Sequence, residues 1–323
     1  MDKNFLLDLC KKINLGKEET QSVISTLNLE FAKVAAVVKK CSMLPINAVL
    51  HSASEHERNY RQGAALCLAC VIACCERTYG IYREKGIPDE VFYDTMSDIT
   101  IWAENFKKKF GYPGFGAVDW ICYHLNATLF RLGRLQFQLY RTRFPDYTER
   151  THIREAPIKQ GKRCLYVHIP QGEKLDYEEC VDSFRKSKEF FREFFPNYKY
   201  CGYICESWLL YPGNRAVLPP ESNIMKFQSL WNIVSWDIDQ SQAIERIFHP
   251  KCIGDIEFYP EDTSLRRAAK KWLLSGNVLG IGFGMIKADD EEKEEMSFQQ
   301  KAVQKTVNKI LSLKQLKKNE LPE

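Results

Sequence analysis

Apolar residues recur at helical spacing through residues 1–126. Between residues 20 and 42, and again between residues 61 and 84, they return every three or four positions, which is the period of a helix that buries one face. The sequence Pro-Asp-Glu at residues 88–90 predicts another helix start, because proline is tolerated in the first turn and acids stabilise it. This pattern predicts an all-helical N-terminal domain.

The pattern changes to alternation after Leu125. Residues 129–144 alternate between apolar and polar side chains, and residues 163–170 do the same. Such alternation is typical of a half-buried strand. Residues 198–211 are rich in strand-forming side chains, and the run VLGIGFGMI at residues 278–286 is a glycine-spaced strand candidate.

A helix is predicted between two of these strands. Residues 176–195 carry an apolar stripe at helical spacing. Asp176 can cap this helix, and Glu179 stands three residues later, which is the spacing of a capping box. Strand, helix and strand in succession predict a βαβ-like unit.

The remaining segments complete an α+β organisation. Residues 221–231 and 264–275 have helical patterns, and the final segment has an acidic run followed by an amphipathic basic pattern. We interpret that last segment as a helix that packs on its own protein, with partner binding as the alternative. The chain is therefore predicted to have a helical N-terminal domain, a mixed α/β domain and a charged helical tail, over residues 1–126, 127–287 and 288–323.

The charge and hydropathy of the chain limit the classes of partner that we expect it to bind. The 46 basic and 42 acidic residues are spread along the chain, so no basic patch points to nucleic acid. The longest apolar run, residues 63–75, is shorter than the roughly 20 residues needed to cross a bilayer. The start, MDKNFLLDLCKKINLG, is too charged for a signal peptide. We therefore expect a cytoplasmic protein that binds neither nucleic acid nor a membrane.

Four of the twelve cysteines are clustered. Cys67, Cys70, Cys74 and Cys75 lie in an apolar helical segment without a second CxxC or a nearby histidine. Zinc sites need four converging ligands, so we interpret these residues as small buried thiols and expect no metal. Zinc or redox chemistry is the alternative.

Candidate catalytic groups stand near the ends of two strand candidates. The chain lacks GxSxG, HExxH and GxxxxGK[ST] motifs, which argues against the hydrolase, zinc protease and P-loop classes. A histidine or carboxylate can deprotonate an amine, and a hydroxyl can protonate a leaving thiolate. His168, Glu206 and Ser207 are therefore candidate catalytic residues.

Each of these candidates has a structural alternative. A lone strand histidine such as His168 often serves as a hydrogen-bonded structural residue. Glu206 and Ser207 are adjacent on a strand, so they face opposite sides unless the strand bulges. Trp208 is a core residue or a pocket wall. Asn223 makes a polar contact or belongs to a helix start.

The loop Gln-Gly-Glu-Lys at residues 171–174 precedes the predicted helix. A helix N-terminus attracts phosphate, and a glycine lets the phosphate approach closely. Glu173 and Asp176 stabilise the same positive end themselves and would repel an anion. From the residues alone, a phosphate site and a purely structural corner both stay open.

The sequence resembles a bacterial family over most of its length. The matching segments are LFRLGRLQF, VHIPQGEKL, FFP, CESWLLYP, LPPESNIMKF and DTSLRRAAKKWLLSGNVLGIGFG, which begin at residues 129, 167, 194, 205, 218 and 262. They occur in this order in proteins of the N-acyltransferase superfamily, or acyltransferase-domain proteins. These proteins have a helical N-terminal domain and a GNAT-like C-terminal domain.

The resemblance implies a fold and a set of site residues. Residues 165–170 would form the strand that exposes backbone groups to acyl-CoA, and residues 171–174 the loop that binds its pyrophosphate. The implied cofactor-binding residues are Val167, Ile169, Gln171, Gly172 and Lys174. Apart from the resemblance, Tyr203, Trp208 and Asn223 are the candidate substrate-pocket residues. The family signature Q/R-x-x-G-x-G/A is replaced in this chain by QGEK, which has one glycine.

Two functional hypotheses follow. The first is an N-acyltransferase that uses acetyl-CoA or another acyl-CoA to acylate a small-molecule amine or a peptide, with His168 or Glu206 as base and Ser207 or a tyrosine as proton donor. The second is a non-catalytic GNAT-like binding or regulatory module that has lost the cofactor. The departure from the glycine signature favours the second.

Overall fold

The computed structural model describes residues 1–55, 59–143, 152–153, 156–248 and 255–288. The chain forms two compact units that alternate along the sequence. The first unit contains residues 1–139, 168–174 and 183–198. The second contains residues 140–167, 175–182 and the chain from Lys199 onward. The predicted charged tail lies outside the described residues except for residue 288, and the predicted domain boundaries stay predictions.

Seven helices open the first unit. They are α1 (Lys3–Lys12), α2 (Lys17–Cys41), α3 (Ile46–Glu55), α4 (Tyr60–Glu84), α5 (Asp89–Met96), α6 (Asp98–Phe110) and α7 (Val118–Leu125). The helices predicted for residues 20–42 and 61–84 are confirmed, and α5 begins directly after Pro88 as predicted. The α+β class is also confirmed, because a mixed sheet follows these helices.

Helix α4 is the core of the first unit. Its four clustered cysteines are buried and carry free thiols, and burial raises the pKa of the Cys67 thiol to about 12. No group of three or more metal-ligating side chains occurs within the described residues. Helix α4 is long and apolar enough to cross a membrane, but most of its apolar stretch is buried within the protein, as in a core helix. The predicted cytoplasmic location stays a prediction.

A β-hairpin follows the helices. Strand β1 (Leu129–Leu132) pairs antiparallel with β2 (Leu135–Arg141), and Leu132 lies opposite Leu135. The turn needs a residue with positive φ, which Gly133 supplies at +79°. Phe130 and Phe137 lie opposite each other and are fully buried, and Gln136 and Gln138 on the other face of β2 are buried as well. The half-buried strand that the alternation predicted is therefore covered on both faces.

The second unit contains a mixed sheet. Its strands are β3 (His152–Ile153), β4 (Arg163–His168), β5 (Gly202–Ser207), β6 (Asn232–Asp237) and β7 (Ile281–Lys287). Strands β4 and β5 are parallel, whereas β5–β7, β7–β6 and β6–β3 are antiparallel. Helix α8 (Tyr177–Phe194) connects the parallel pair along the chain, so the predicted strand-helix-strand unit is confirmed. Strand β6 was not predicted from the sequence.

Strand β5 is shorter than predicted because a turn of 3-10 helix, Trp208–Leu210, interrupts it. Two buried amides hold this turn. Asn214 Nδ2 donates to the Trp208 carbonyl at 2.8 Å, and Gln228 Nε2 donates to the Tyr211 carbonyl at 2.9 Å. The strand-forming composition of residues 208–211 therefore reflects packing in the interior rather than extended backbone.

Short helices complete the second unit. They are α9 (Asn214–Val217), α10 (Asn223–Ser229), α11 (Ser241–Phe248) and α12 (Ser264–Leu274). Helices α11 and α12 share a core cluster that includes Ile247, Phe248 and Leu273. Trp208 packs against the same cluster, which joins the end of β5 to these two helices.

Glycines in β7 let the turn after β5 lie directly on the sheet. A Cβ at Gly282 would meet the Leu210 carbonyl, and a Cβ at Gly284 would meet the side chains of Leu210 and Trp231. Backbone cannot move aside as a flexible side chain can, so Gly282 is the stricter requirement. The glycine spacing of this strand is explained by close packing.

We expect Gly282→Ala to lower the free energy of unfolding by about 1–3 kcal/mol, because the added methyl group overpacks the interior. Urea unfolding measures this change. Gly80→Ala is the control, since nothing lies within 4 Å of a Cβ at that helical position; it should be neutral or stabilising. Wild-type stability in the Gly282 variant would contradict the packing argument.

Asp176 caps helix α8 as predicted. Its Oδ1 accepts hydrogen bonds from the backbone N–H groups of Glu178 and Glu179 at 3.0 and 3.2 Å. We expect Asp176→Ala to reduce the free energy of unfolding by about 1 kcal/mol, whereas Asp176→Asn should preserve most of it because asparagine caps equally well. Equal losses in the two variants would show that the cap is not the source of the stability.

Candidate functional site

The segment 168–174 is the candidate site of the first unit, and it begins with a fixed histidine. His168 Nε2 lies 2.9 Å from Gln138 Oε1. An amide oxygen only accepts hydrogen bonds, so Nε2 carries the proton in this arrangement. The ring also meets the edge of Trp120, with 4.8 Å between centroids. Burial, and to a smaller extent the neighbouring His124, lower the pKa of His168 to about 3.

A buried carboxylate, that of Asp98, accepts a hydrogen bond from Trp120. Asp98 is 2% exposed, and its Oδ2 accepts hydrogen bonds from the indole N–H groups of Trp102 at 2.9 Å and Trp120 at 2.5 Å. Its Oδ1 accepts from Gln136 Nε2 at 2.9 Å. A buried charge is tolerated when several donors satisfy it, and these three donors come from α6, α7 and β2.

His124 belongs to the same cluster as a neutral ring. Its Nδ1 lies 3.4 Å from the Trp120 carbonyl, and its Nε2 lies 3.4 Å from Gln136 Nε2 and 3.5 Å from Asp98 Oδ2. Burial lowers the pKa of His124, which keeps it uncharged beside Asp98 at neutral pH. The network thus carries the one negative charge of Asp98.

Two arginines of the β1–β2 hairpin hold the end of the segment. Arg131 Nη2 pairs with Glu173 Oε1 at 2.5 Å. Arg134, which is 5% exposed, donates from Nε to the Lys174 carbonyl at 2.9 Å and from Nη2 to the Glu173 carbonyl at 3.0 Å. Asn105 Nδ2 adds a bond to Gln171 Oε1 at 2.9 Å. The segment is therefore attached to the first unit by both side chains and backbone.

The opposite side of this loop is accessible. Gly172, Glu173 and Lys174 are all exposed. Gly172 has φ +92°, and nothing lies within 4 Å of a Cβ built there. Ile169 and Gln171 are half-buried, and Val167 is buried in β4. Of the residues predicted to bind cofactor, Gly172 and Lys174 are the ones most open to solvent.

In the second unit, the structure places Glu206 and Ser207 on opposite faces of β5. The strand pairs with β7 in continuous register, with Glu206 opposite Phe283 and Ser207 opposite Gly282, so no bulge brings them together. The Ser207 side chain is buried and accepts a hydrogen bond from the Leu209 N–H at 3.2 Å. Glu206 is half-buried.

Tyr166 shares the face of Glu206. It pairs with Ile204 across the parallel strands, and Glu206 lies two residues further along β5. Residues at i and i+2 point to the same side of a strand. Tyr166 was not singled out in the sequence, where the order of strands in the sheet is not visible, and its half-buried ring packs edge-on to Tyr140 at 5.2 Å.

The predicted substrate-pocket residues belong to three different elements, which are β5, the 3-10 turn after it and α10. Tyr203 is 1% exposed, and its hydroxyl lies 3.3 Å from that of Tyr200. Trp208 is half-buried, and its backbone N–H donates to Gln242 Oε1 at 2.7 Å. Asn223 is the first residue of α10, which Ser222 caps through the Met225 N–H. Contact of these residues with a substrate stays a prediction.

Comparisons with known proteins agree over most of the chain. The sequence profile of an N-acyltransferase N-terminal domain matches residues 4–127, and that of a GNAT-like C-terminal domain matches residues 129–286. A search of curated protein sequences gives no match.

Solved acyltransferase structures share the fold. One is a complex with decanoyl-CoA and teicoplanin, at 22% identity and TM-score 0.69, with 87% of each chain covered. Another is a complex with CoA and 10C-teicoplanin, at 21% identity, TM-score 0.69 and the same 87% coverage of each chain. A third is a complex of an acyltransferase mutant with octanoyl-CoA, at 22% identity, TM-score 0.68 and again 87% of each chain.

The buried state of His168 predicts a pH dependence of stability. The native protein keeps the ring neutral down to about pH 3, whereas an unfolded histidine takes up a proton below about pH 6.5. Between these values the unfolded state binds more protons, so the free energy of unfolding falls as the pH is lowered from 6.5. We expect a loss of roughly 1–2 kcal/mol from this residue between pH 7 and pH 5.

Urea unfolding at a series of pH values measures this loss. His168→Gln keeps a hydrogen-bonding side chain without the titration, so its stability should depend less on pH. The dependence that remains in this variant includes His124, whose pKa is also lowered by burial. An identical slope in the wild type and the variant would contradict the assignment to His168.

Proposed function

Because the chain belongs to the N-acyltransferase superfamily, we propose that it transfers an acyl group from an acyl-CoA thioester to an amine. Members combine a helical N-terminal domain with a GNAT-like C-terminal domain, and both profiles match here over residues 4–127 and 129–286. CoA and acyl-CoA in the structurally similar acyltransferases support the choice of donor.

The observation that carries the proposal is the parallel pair β4 and β5. Their paired residues are Leu165 with Tyr203 and Tyr166 with Ile204, yet β4 continues past this ladder and β5 runs on to Ser207. Parallel strands that stop pairing before they end present backbone hydrogen-bonding groups. We propose that backbone donors here bind the thioester carbonyl and stabilise the oxyanion that forms on it.

The reaction is a direct transfer. The amine nitrogen attacks the thioester carbon, a C–N bond forms and the carbonyl electrons move to oxygen. The C–S bond then breaks as the carbonyl is restored. One proton leaves the nitrogen and one is needed by the departing thiolate, so the enzyme requires a base and an acid near the carbon.

We assign the base to Glu206 and the acid to Tyr166. They lie on one face of the β4–β5 pair, and long side chains two residues apart on neighbouring strands can reach a common substrate. His168 is a poor base with a pKa near 3, and the Ser207 hydroxyl lies on the other face of β5. We therefore leave these two predicted candidates out of the proton transfer.

The acceptor is an amine on a small molecule or a peptide. Teicoplanin accompanies decanoyl-CoA in one similar acyltransferase, which supports an acceptor of this general class. The non-catalytic module remains the competing function, because the QGEK loop departs from the family signature Q/R-x-x-G-x-G/A.

Ligand binding tests the first part of the proposal. An acyl-CoA at 100 times its dissociation constant stabilises the protein by about 2.7 kcal/mol, so the melting temperature should rise with CoA or acetyl-CoA. No rise with any CoA thioester, together with no heat of binding in calorimetry, would overturn the proposed function. Binding without thiol release in the presence of a panel of amines would favour the non-catalytic module.

Once an acceptor is found, the catalytic assignment can be tested with variants. Glu206→Gln should lower kcat by about 100-fold or more, because general base catalysis contributes that much, while CoA binding stays unchanged. Tyr166→Phe should lower kcat in the same way. Glu245→Gln, which alters an exposed carboxylate on α11, is the matched control and should retain full activity. Wild-type kcat in Glu206→Gln would refute the assignment.

A further inference from the structure

The buried side chain of Arg134 donates hydrogen bonds to the backbone of the loop at residues 171–174. Its Nε and Nη2 donate to two successive carbonyls, those of Lys174 and Glu173, at 2.9 and 3.0 Å. The arginine is itself fixed, because its backbone N–H donates to the buried Ser183 Oγ at 2.9 Å. A fork with a fixed base holds both peptides in one orientation.

The direction of the Glu173 carbonyl determines the direction of the Lys174 N–H, because both belong to the same peptide group. In a trans peptide the C=O and N–H bonds point in opposite directions. Since the Glu173 carbonyl points to Arg134, the N–H of Lys174 points away from it, toward the exposed side of the loop. Among the described residues, no hydrogen bond engages the backbone N–H groups of Gly172, Glu173 or Lys174.

The two acids nearest the loop are engaged in contacts of their own, and one of them, Asp176, caps α8. Glu173 is the acid closest to these N–H groups in sequence, and its carboxylate is paired with Arg131. Lys174 presents an exposed ammonium group. Gly172 leaves open space where a side chain would stand. Successive unengaged N–H groups beside a cation form a site for phosphate oxygens.

We propose that Arg134 is a positioning residue that holds the Lys174 N–H toward a phosphate of the acyl donor. In this arrangement the buried arginine fixes the direction of the loop peptides from the side that faces away from the phosphate. The inference rests on the proposed function, because the phosphate belongs to the CoA moiety. It also explains how a loop with one glycine can keep a phosphate site.

The test compares two ligands in Arg134→Lys. Lysine keeps the positive charge but cannot bridge two carbonyls. We expect the dissociation constant for CoA to rise by about tenfold, the usual effect of losing a charged hydrogen bond. Binding of acyl-pantetheine, which has the thioester arm without the nucleotide, should stay unchanged. Arg185→Lys, at an exposed pair with Glu189 on α8, is the matched control.

The outcomes separate this inference from the proposed function. If the wild-type protein binds neither CoA nor acyl-pantetheine, the proposed function fails. If the wild type binds CoA and a folded Arg134→Lys binds it equally well, the function stands and the role of Arg134 is overturned. Equal weakening for both ligands would show a general structural defect and would also overturn the specific role.

A second measurement on the unaltered protein covers the case in which the variant does not fold. In protein labelled with 15N-lysine, CoA should shift the amide resonance of Lys174 downfield, and acyl-pantetheine should not. The peak missing from Lys174→Arg assigns the resonance. Saturation by CoA without a shift of that resonance would overturn the inference.

Discussion

The first unit depends on one buried negative charge. Asp98 accepts hydrogen bonds from side chains of α6, α7 and β2, so these three elements must meet around it. A buried carboxylate is stable only while its donors stay in place, which makes the arrangement cooperative. Trp120 packs against the ring of His168. His168 also lies within hydrogen-bond distance of Gln138, which belongs to the same strand as Gln136.

Side chains of the same unit also hold the loop at residues 171–174 in place. His168 is fixed by an aromatic edge and an amide, and Arg131 and Arg134 fix the far end. Ordering a loop before a ligand arrives lowers the entropy that binding must overcome. A histidine whose pKa is lowered to about 3 by burial is a weak base, which is why the proposed proton transfer is assigned to Glu206 and Tyr166 in the second unit.

In the second unit, the backbone of the turn after β5 lies directly against strand β7. The turn at Trp208–Leu210 lies against Gly282 and Gly284, and it ends strand β5 directly after Ser207. The Ser207 hydroxyl caps that turn, while Glu206 remains on the opposite face. Strand alternation thus places these two adjacent residues on opposite faces, and the turn that follows engages Ser207.

The sequence alone determined the features that depend on near neighbours. The helical and alternating periods predicted α2, α4 and β4, Asp176 predicted the start of α8, and ordered family segments predicted the α+β class. Only the tertiary structure decided which distant groups meet. Arg134 reaches carbonyls about 40 residues away, and Tyr166 joins the face of Glu206 through strand order. Periodicity reports which side of an element is buried, but the partner of a polar group is set by topology.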